Sequence, residues 1–306
     1  MLSRRHFLAT PALALAAPAG NKIDLSRISA ISDEIANDLD GAIAFAHQYG
    51  MKWLELRDVA RGSNEGHFVS KDEAYLKAAA RKIHDAGLRV SFFDTPYFKS
   101  TLPGSEPVFR RPESAEAREK RVARDQQQFD NRHRLIETGL RKAQILGVDQ
   151  IRIFSFLRTA EPEKHFSQIA DIIGDLAKIA EREKVHLLIE NENACNAVTC
   201  AEMATLLKMI PSKYVGINWD AQNGGDCKEE PHPHGYSLLP KDRLRNVQIK
   251  GRSLLDYPQK LDWKAIFASL ERDGYRGQVG LETHIFGPQL IEHSHTCLRT
   301  LKQMLS

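Results

Sequence analysis

Eight short segments rich in β-branched, leucine and aromatic residues recur along this 306-residue chain, and longer amphipathic segments separate them. The short segments, which we predict to be strands, span residues 28–32, 53–56, 89–93, 150–154, 186–189, 214–218, 246–249 and 278–281. Between them, apolar residues recur at helical spacing, as at Ile169, Ile172, Ile173 and Leu176. This alternation of strands and helices predicts parallel strands joined by right-handed crossovers.

The number of strand–helix units predicts a closed α/β barrel rather than an open sheet. One (β/α)8 TIM barrel uses about 250 residues, which nearly fills the chain beyond residue 19. An open dinucleotide-binding sheet would carry a glycine-rich turn after its first strand, and the segment 32–35, Ser-Asp-Glu-Ile, has no glycine. Glycines at positions 50, 87, 147 and 274 are expected to end the helices that precede four of the strands. We therefore predict a single-domain TIM barrel over residues 20–306.

The N-terminus has the pattern of an export signal. Ser-Arg-Arg-His-Phe-Leu occupies residues 3–8, an apolar run continues to residue 19, and Ala-Pro-Ala at 17–19 fits a small-residue cleavage site. The apolar run is too short to be a permanent membrane span. We predict a twin-arginine signal peptide over residues 1–19 and transient contact with the twin-arginine (Tat) translocase. The mature protein is then periplasmic or secreted, and it is exported folded with its cofactor loaded.

The composition excludes several other classes of protein. Lys and Arg number 43 against 40 Asp and Glu, and no basic stripe interleaved with aromatic residues occurs, so we predict no nucleic-acid partner. No second apolar segment follows the signal, so we predict no stable membrane span. The four cysteines form no C-x-x-C pair, which argues against a zinc ribbon or a thioredoxin-type motif. The sequence leaves a homo-oligomer open.

Four oxygen-bearing side chains occur at or near the carboxyl ends of the last four predicted strands: Glu190, Asp220, Gln248 and Glu282. Successive members are separated by 30, 28 and 34 residues, which is one strand–helix unit each time. In a barrel they therefore meet at one rim. A single carboxylate in this position could equally be a helix N-cap or a salt-bridge partner. Converging carboxylates repel one another unless a cation neutralises them, and an all-oxygen set suits Mn²⁺ or Mg²⁺, with Co²⁺ or Zn²⁺ as alternatives.

Several segments of the chain carry a family resemblance from about residue 28 to the C-terminus. They read Gly-Met-Lys-Trp-Leu-Glu-Leu-Arg at 50–57, Leu-Gly-Val-Asp-Gln-Ile-Arg at 146–152, Leu-Ile-Glu-Asn-Glu at 188–192, Asn-Trp-Asp-Ala-Gln-Asn at 218–223, Val-Gln-Ile-Lys at 247–250 and Gly-Tyr-Arg-Gly-Gln-Val-Gly-Leu-Glu at 274–282. The chain resembles the sugar phosphate isomerase/epimerase superfamily, the xylose isomerase-like barrels. That group includes hydroxypyruvate isomerase, D-tagatose 3-epimerase and inosose-processing enzymes.

The resemblance implies one divalent metal ion held by Glu190, Asp220, Gln248 and Glu282. Many members have His where this chain has Gln248, and Gln is similar to the hydroxypyruvate isomerase branch. The resemblance also implies proton transfer beside a carbonyl through an enediolate, with Glu190 and Glu282 as the catalytic carboxylates on opposite sides of the reacting carbon. Many epimerases place His three residues after the sixth-strand Asp, and this chain has Asn223 there.

Five further residues are candidate contacts to a small-molecule carbohydrate: Arg152, Lys250, Asn223, His284 and Glu55. Arg152 could instead form a salt bridge at the rim, and Glu55 an internal ion pair with Arg57. The long segments 95–112 and 221–240 follow strands three and six, so we predict that they are substrate lids. His232-Pro233-His234, in the second of them, is interpreted as a rim element rather than a metal-binding pair.

The sequence thus predicts a metal-dependent isomerase or epimerase of a sugar or keto-sugar. One alternative is a lyase or hydrolase that acts on a 3-keto-glycoside or an inosose with the same metal site. Another is a barrel that binds carbohydrate without catalysis. The presence of both Glu190 and Glu282 counts against this last alternative, because a binding protein needs no base on each side of its ligand.

Overall fold

A computed structural model describes residues 22–60, 66–109, 111–255, 261–285 and 287–306. The predicted signal peptide lies outside these residues. Across the described part of the chain, no helix is both long enough and apolar enough to cross a lipid bilayer.

Eight parallel strands form the barrel, which confirms the predicted single-domain TIM barrel. They are β1 (Ile28–Ala30), β2 (Trp53–Leu56), β3 (Arg89–Phe93), β4 (Gln150–Ile153), β5 (His186–Glu190), β6 (Val215–Asp220), β7 (Leu244–Lys250) and β8 (Gln278–Glu282). Each strand pairs in parallel with its sequence neighbours from β2 through β8, and β1 pairs with β8. A parallel bridge between Ile31 and Glu55 joins the remaining edges. The predicted strands are confirmed: β5, β6 and β8 end at Glu190, Asp220 and Glu282, and β7 extends two residues past Gln248.

Twelve α-helices accompany the strands within the described residues. They are α1 (Ser32–Ile35), α2 (Leu39–Tyr49), α3 (Glu73–Asp85), α4 (Ala115–Asp130), α5 (Arg132–Leu146), α6 (Phe166–Glu183), α7 (Cys200–Lys208), α8 (Ala221–Asp226), α9 (Tyr236–Leu238), α10 (Gly251–Leu254), α11 (Trp263–Arg272) and α12 (Leu290–Leu305). The second predicted lid, 221–240, therefore contains two short helices, α8 and α9.

The ends of the helices follow local sequence signals. Asp38 accepts a hydrogen bond from the amide of Gly41 and caps the start of α2. Gly50 and Gly147 adopt left-handed backbone conformations, with φ of 68° and 71°, where α2 and α5 end. Glycine is favoured at both positions because a side chain would be strained there, and each helix end turns the chain back toward the next strand.

The apolar core lies between the strands and the helices. Ile169, Ile173 and Leu176 of α6 are fully buried, as the helical spacing predicts. The inside of the barrel is different, because polar side chains fill its upper part. Glu55, Asn246 and Gln248 are completely buried there, and Asn246 and Gln248 each donate a hydrogen bond to the carboxylate of Glu55. This polar interior forms the floor beneath the carboxyl ends of the strands.

Candidate active site

A cavity of about 750 Å³ opens at the carboxyl ends of the strands. Glu190 and Glu282 line its floor. Both predicted lids contribute to its walls: the first through Pro96, Lys99, Val108 and Phe109, and the second through Gln222, Asn223 and Asp226. The volume is in the range of small-molecule binding sites.

Three of the four predicted metal ligands converge. Glu190, Asp220 and Glu282 each present one carboxylate oxygen, and these oxygens lie within 4.8 Å of one another. All three residues are buried. The strands cause this convergence, because β5, β6 and β8 each end at one of these residues.

Glu190 is held by β4 and β6. Its Oε2 accepts a hydrogen bond from Arg152 at 2.9 Å and from the amide of Asn218 at 3.3 Å. Burial raises the pKa of Glu190 to about 7, although Arg152 opposes this increase. The carboxyl is therefore suited to exchanging a proton near neutral pH.

Asp220 both ends β6 and caps α8. Its Oδ1 accepts hydrogen bonds from the backbone amides of Gln222 at 2.9 Å and Asn223 at 3.0 Å. Its Oδ2 lies 2.7 Å from Nζ of Lys250 as an ion pair, without the angles of a directed hydrogen bond. Asp220 therefore has the N-cap role that the sequence analysis gave as an alternative, and it also belongs to the group of three converging carboxylates.

Three positively charged or titratable side chains surround Glu282. Its Oε2 lies 2.8 Å from Nζ of Lys250, and its Oε1 lies 3.2 Å from both Arg57 and His284. Burial by itself would raise the pKa of Glu282, but Lys250, His284 and Arg57 together lower that pKa well below its usual range. Glu190 and Glu282 therefore have pKa values displaced in opposite directions, as in sites where two carboxyls have different roles in proton transfer.

Gln248, the fourth predicted ligand, lies deeper in the barrel. Its Nε2 donates a hydrogen bond to Oε2 of Glu55 at 3.3 Å, and its buried Oε1 has no hydrogen-bond partner within the described residues. A buried carbonyl oxygen without a partner is costly unless something binds it. This orphaned oxygen and the three carboxylates are all hard oxygen donors of the kind that Mg²⁺ or Mn²⁺ prefers.

The charge balance at this end of the barrel also fits a divalent cation. Among the described residues, the connected network contains seven buried carboxyl groups and three cationic side chains. The carboxyls are those of Asp33, Glu34, Glu55, Asp94, Glu190, Asp220 and Glu282, and the cations are Arg57, Arg152 and Lys250. Burial raises the pKa of Glu55, Asp94, Glu190 and Asp220, so protonation of these carboxyls is a second way in which the negative charge is reduced.

A second group also has metal-ligand spacing, because Glu34, Glu282 and His284 bring one ligand atom each within 4.8 Å. The guanidinium of Arg57 already lies 2.9 Å from Glu34 and 3.2 Å from Glu282. Both groups therefore already contact a cationic side chain, since Lys250 pairs with Asp220 and Glu282. Glu190, Asp220 and Glu282 remain the better candidate for a metal because all three are buried carboxylates at strand ends, whereas His284 is only partly buried.

Four of the five predicted substrate contacts line the cavity: Arg152, Lys250, His284 and Asn223. The side-chain amide of Asn223 donates a hydrogen bond to the carbonyl of Asn191 at 2.8 Å, so it also holds the loop that follows β5. Arg152 forms the salt bridges that the sequence left as an alternative, 2.9 Å from Glu190 and 3.4 Å from Asp94.

Glu55 is the exception, and its predicted substrate contact is corrected by the structure. Its carboxyl is fully buried below the cavity, where it accepts a hydrogen bond from Ser29 at 2.8 Å, and it is not among the lining residues. The alternative, an internal ion pair with Arg57, is also wrong. Arg57 pairs with Asp33, Glu34 and Glu282, because its side chain extends across the top of β1 and β8.

Some residues of the site were missed by the sequence analysis. Asp94 directly follows β3 and pairs with Arg152, so the rule that located the other strand-end acids could have found it. Asn218 and Asn246 lie inside strands and carried no comparable signal. His232 bonds to Ser269 of α11 at 2.9 Å, and neither His232 nor His234 is among the residues that line the cavity.

The sequence matches the xylose isomerase-like TIM barrel family over residues 43–301. The chain belongs to this family. A comparison of the sequence with curated proteins gives no match.

Solved structures with the same fold include sugar epimerases and a xylose isomerase-like barrel. A 3-keto-D-glucoside 4-epimerase from E. coli has 16% identity and a TM-score of 0.63, covering 90% of this chain and 99% of its own. A D-psicose 3-epimerase solved with D-fructose has 14% identity and a TM-score of 0.63, covering 91% and 96%. A xylose isomerase-like barrel from Mycobacterium smegmatis solved with magnesium has 14% identity and a TM-score of 0.60, covering 94% and 99%. At these identities the likeness shows the shared fold.

Proposed function

We propose that this protein is a metal-dependent isomerase or epimerase of a sugar or keto-sugar. The observation that carries the proposal is the convergence of Glu190, Asp220 and Glu282 within 4.8 Å, with Glu190 and Glu282 also lining a cavity. Two of these carboxyls face the space where a substrate carbon would lie, which is what proton removal and return require. The 3-keto-glucoside and psicose epimerases that share the fold support the same class of reaction.

A bound divalent ion would polarise the substrate carbonyl and its neighbouring hydroxyl. Glu190, whose pKa is raised to about 7, removes a proton from the carbon beside the carbonyl, and an enediolate forms. Glu190 then returns its proton to the former carbonyl carbon, which gives the isomer, or Glu282 takes up a proton from solvent and delivers it to the opposite face, which gives the epimer. Arg152 orients Glu190 through a 2.9 Å hydrogen bond, and the loops above the cavity limit the access of water.

The substrate that we propose is a small, non-phosphorylated carbohydrate. Phosphorylated intermediates remain in the cytoplasm, and the twin-arginine pattern of residues 3–8 supports export to the periplasm or the medium. A magnesium-containing barrel of the same fold supports a hard divalent ion such as Mg²⁺ or Mn²⁺ as the cofactor.

A lyase or hydrolase acting on a 3-keto-glycoside is the second candidate. The mouth of the cavity favours it, because Val108 is 60% exposed and Phe109 is 40% exposed while both line the cavity, as does Leu157. Exposed apolar side chains at a polar site suit the apolar aglycone of a glycoside better than they suit a free ketose. Loss of the aglycone would follow the same enediolate step.

Exchange of substrate hydrogen for solvent deuterium tests the proposal. The purified protein, with and without added Mn²⁺, is incubated in D₂O with free ketoses and with 3-keto-glycosides, and products are followed by NMR. We expect metal-dependent exchange that falls about 10²–10⁴-fold in Glu190→Gln and in Glu282→Gln, since an amide keeps an oxygen but is not a general base. Glu181→Gln, an exposed position on α6, is the matched control.

The outcomes separate the candidates. Exchange with an intact product identifies an isomerase or epimerase, and exchange with release of the aglycone identifies the lyase or hydrolase. Binding of a sugar without exchange identifies a non-catalytic barrel. Wild-type turnover in both Gln variants would refute the two-carboxylate mechanism.

A further inference from the structure

Lys250 lies at the centre of the candidate metal site. It follows Gln248 by two residues on β7, so both side chains point toward the inside of the barrel. Lys250 is only 5% exposed. Its Nζ lies 2.7 Å from Oδ2 of Asp220 and 2.8 Å from Oε2 of Glu282. The ammonium therefore bridges two of the three converging carboxylates.

The remaining oxygens of these two carboxylates have other partners. Oδ1 of Asp220 accepts two backbone amides of α8, and Oε1 of Glu282 contacts Arg57 and His284. Oδ2 and Oε2 are thus the oxygens best placed to bind an added cation, and Lys250 already holds both. A divalent ion at about 2.1 Å from each of these oxygens would lie within about 4 Å of Nζ, where like charges repel strongly.

We propose that Lys250 is the cation of the metal-free site and that a divalent ion binds by displacing its ammonium from Asp220 and Glu282. The inference rests on the metal dependence in the proposed function. Lys250 also lines the cavity, so the displaced ammonium remains tethered beside the place where a substrate oxygen would lie. Metal binding then both completes the oxygen donor set and delivers a cation to the substrate.

Calorimetric titration of chelator-treated protein with MnCl₂ tests this competition. Lys250→Met keeps a side chain of similar length without the charge. We expect it to bind Mn²⁺ at least tenfold more tightly than wild type, because the ion no longer has to displace an ammonium. Without metal, its melting temperature should fall, since Asp220 and Glu282 lose their shared partner.

Lys99 provides a matched control. It also lines the cavity but pairs with Glu192 at 3.4 Å, outside the ligand set. Lys99→Met should change Mn²⁺ affinity by less than about threefold, because a more distant charge that is screened by solvent has only a small effect on binding of the ion. Unchanged or weaker affinity in Lys250→Met would overturn the displacement.

A measurement on the wild-type protein makes the test independent of how the variant folds. Reductive methylation followed by mass spectrometry reports the accessibility of each lysine. We expect saturating Mn²⁺ to speed methylation of Lys250 and to leave Lys99 unchanged, and a slower or unaltered rate at Lys250 would overturn the proposal. If wild type and Lys250→Met bind Mn²⁺ equally well, displacement is refuted and the metal-dependent function stands. If neither binds Mn²⁺, the metal dependence fails, and displacement fails with it.

Discussion

Gly280 on β8 determines whether the polar interior of the barrel can form. It pairs in register with Ser29 on one side and Gln248 on the other. A Cβ atom at this position would overlap Oε1 of Glu55 and would lie 2.5 Å from its Cδ and 2.8 Å from its Oε2. The carboxyl of Glu55 therefore occupies the space that only glycine leaves empty.

Gly280→Ala should destabilise the protein by about 3 to 6 kcal/mol. Overpacking a buried site costs about 1–3 kcal/mol. Glu55 cannot retreat without weakening hydrogen bonds from Ser29 at 2.8 Å, Gln248 at 3.3 Å and Asn246 at 3.4 Å, and each buried donor left unpaired costs about 1–3 kcal/mol. For a chain of this size, the melting temperature should fall by roughly 6–20 °C.

Urea unfolding and thermal melting of the variant test this estimate. Gly174→Ala is the matched control, because nothing lies within 4 Å of a Cβ added at this position in α6, and it should stabilise the helix by about 0.5–1 kcal/mol. The double variant Glu55→Asp with Gly280→Ala should recover part of the loss, since the shorter side chain makes room. A Gly280→Ala variant within about 0.5 kcal/mol of wild type would refute the reasoning, since the measurement itself resolves about that much.

Three further changes probe the site. Gln248→His should retain Mn²⁺ binding within about tenfold, because one ring nitrogen can coordinate while the other donates to Glu55, whereas loss of binding in a folded variant would show that Gln248 is not a ligand. Arg152→Met should reduce the free energy of unfolding by about 3–5 kcal/mol in urea titrations, because Glu190 loses its buried partner, and a loss below about 1 kcal/mol would contradict this. Burial lowers the pKa of His186 from 6.5 to about 4, so the folded protein loses stability as the pH falls from about 6.5 toward 4. Because His186 is partly exposed, this loss should be on the order of 1–2 kcal/mol; His186→Phe should remove it from the pH–stability curve, and an unaltered curve would contradict the assignment.

The barrel could be predicted from the sequence because its signals are local. Each strand is a short apolar run, and a glycine ends several of the helices, so counting units was enough to give the fold. The candidate metal ligands followed from position alone. Glu190, Asp220 and Glu282 each end a strand, and parallel strands in a barrel bring their ends to one rim.

Contacts across the barrel could not be predicted in this way. The sequence places Glu55 on β2, but its depth depends on Gly280, 225 positions away on β8, and on Ser29 of β1. Arg57 lies two residues from Glu55, yet it pairs with acids of the β1 and β8 ends. Such partners are set by the closure of the sheet, and spacing along one strand carries no information about them.

The ion pairs at the rim also bear on the predicted export signal. Folded export suggested that a metal is loaded in the cytoplasm. In the structure, each strand-end carboxylate has a cation from the chain itself: Arg152 for Glu190, and Lys250 for both Asp220 and Glu282. Buried carboxylates paired in this way do not need an added ion in order to fold. Under the proposed metal dependence, the barrel would fold first and take up a divalent ion afterwards, so the predicted export would not require loading of the metal in the cytoplasm.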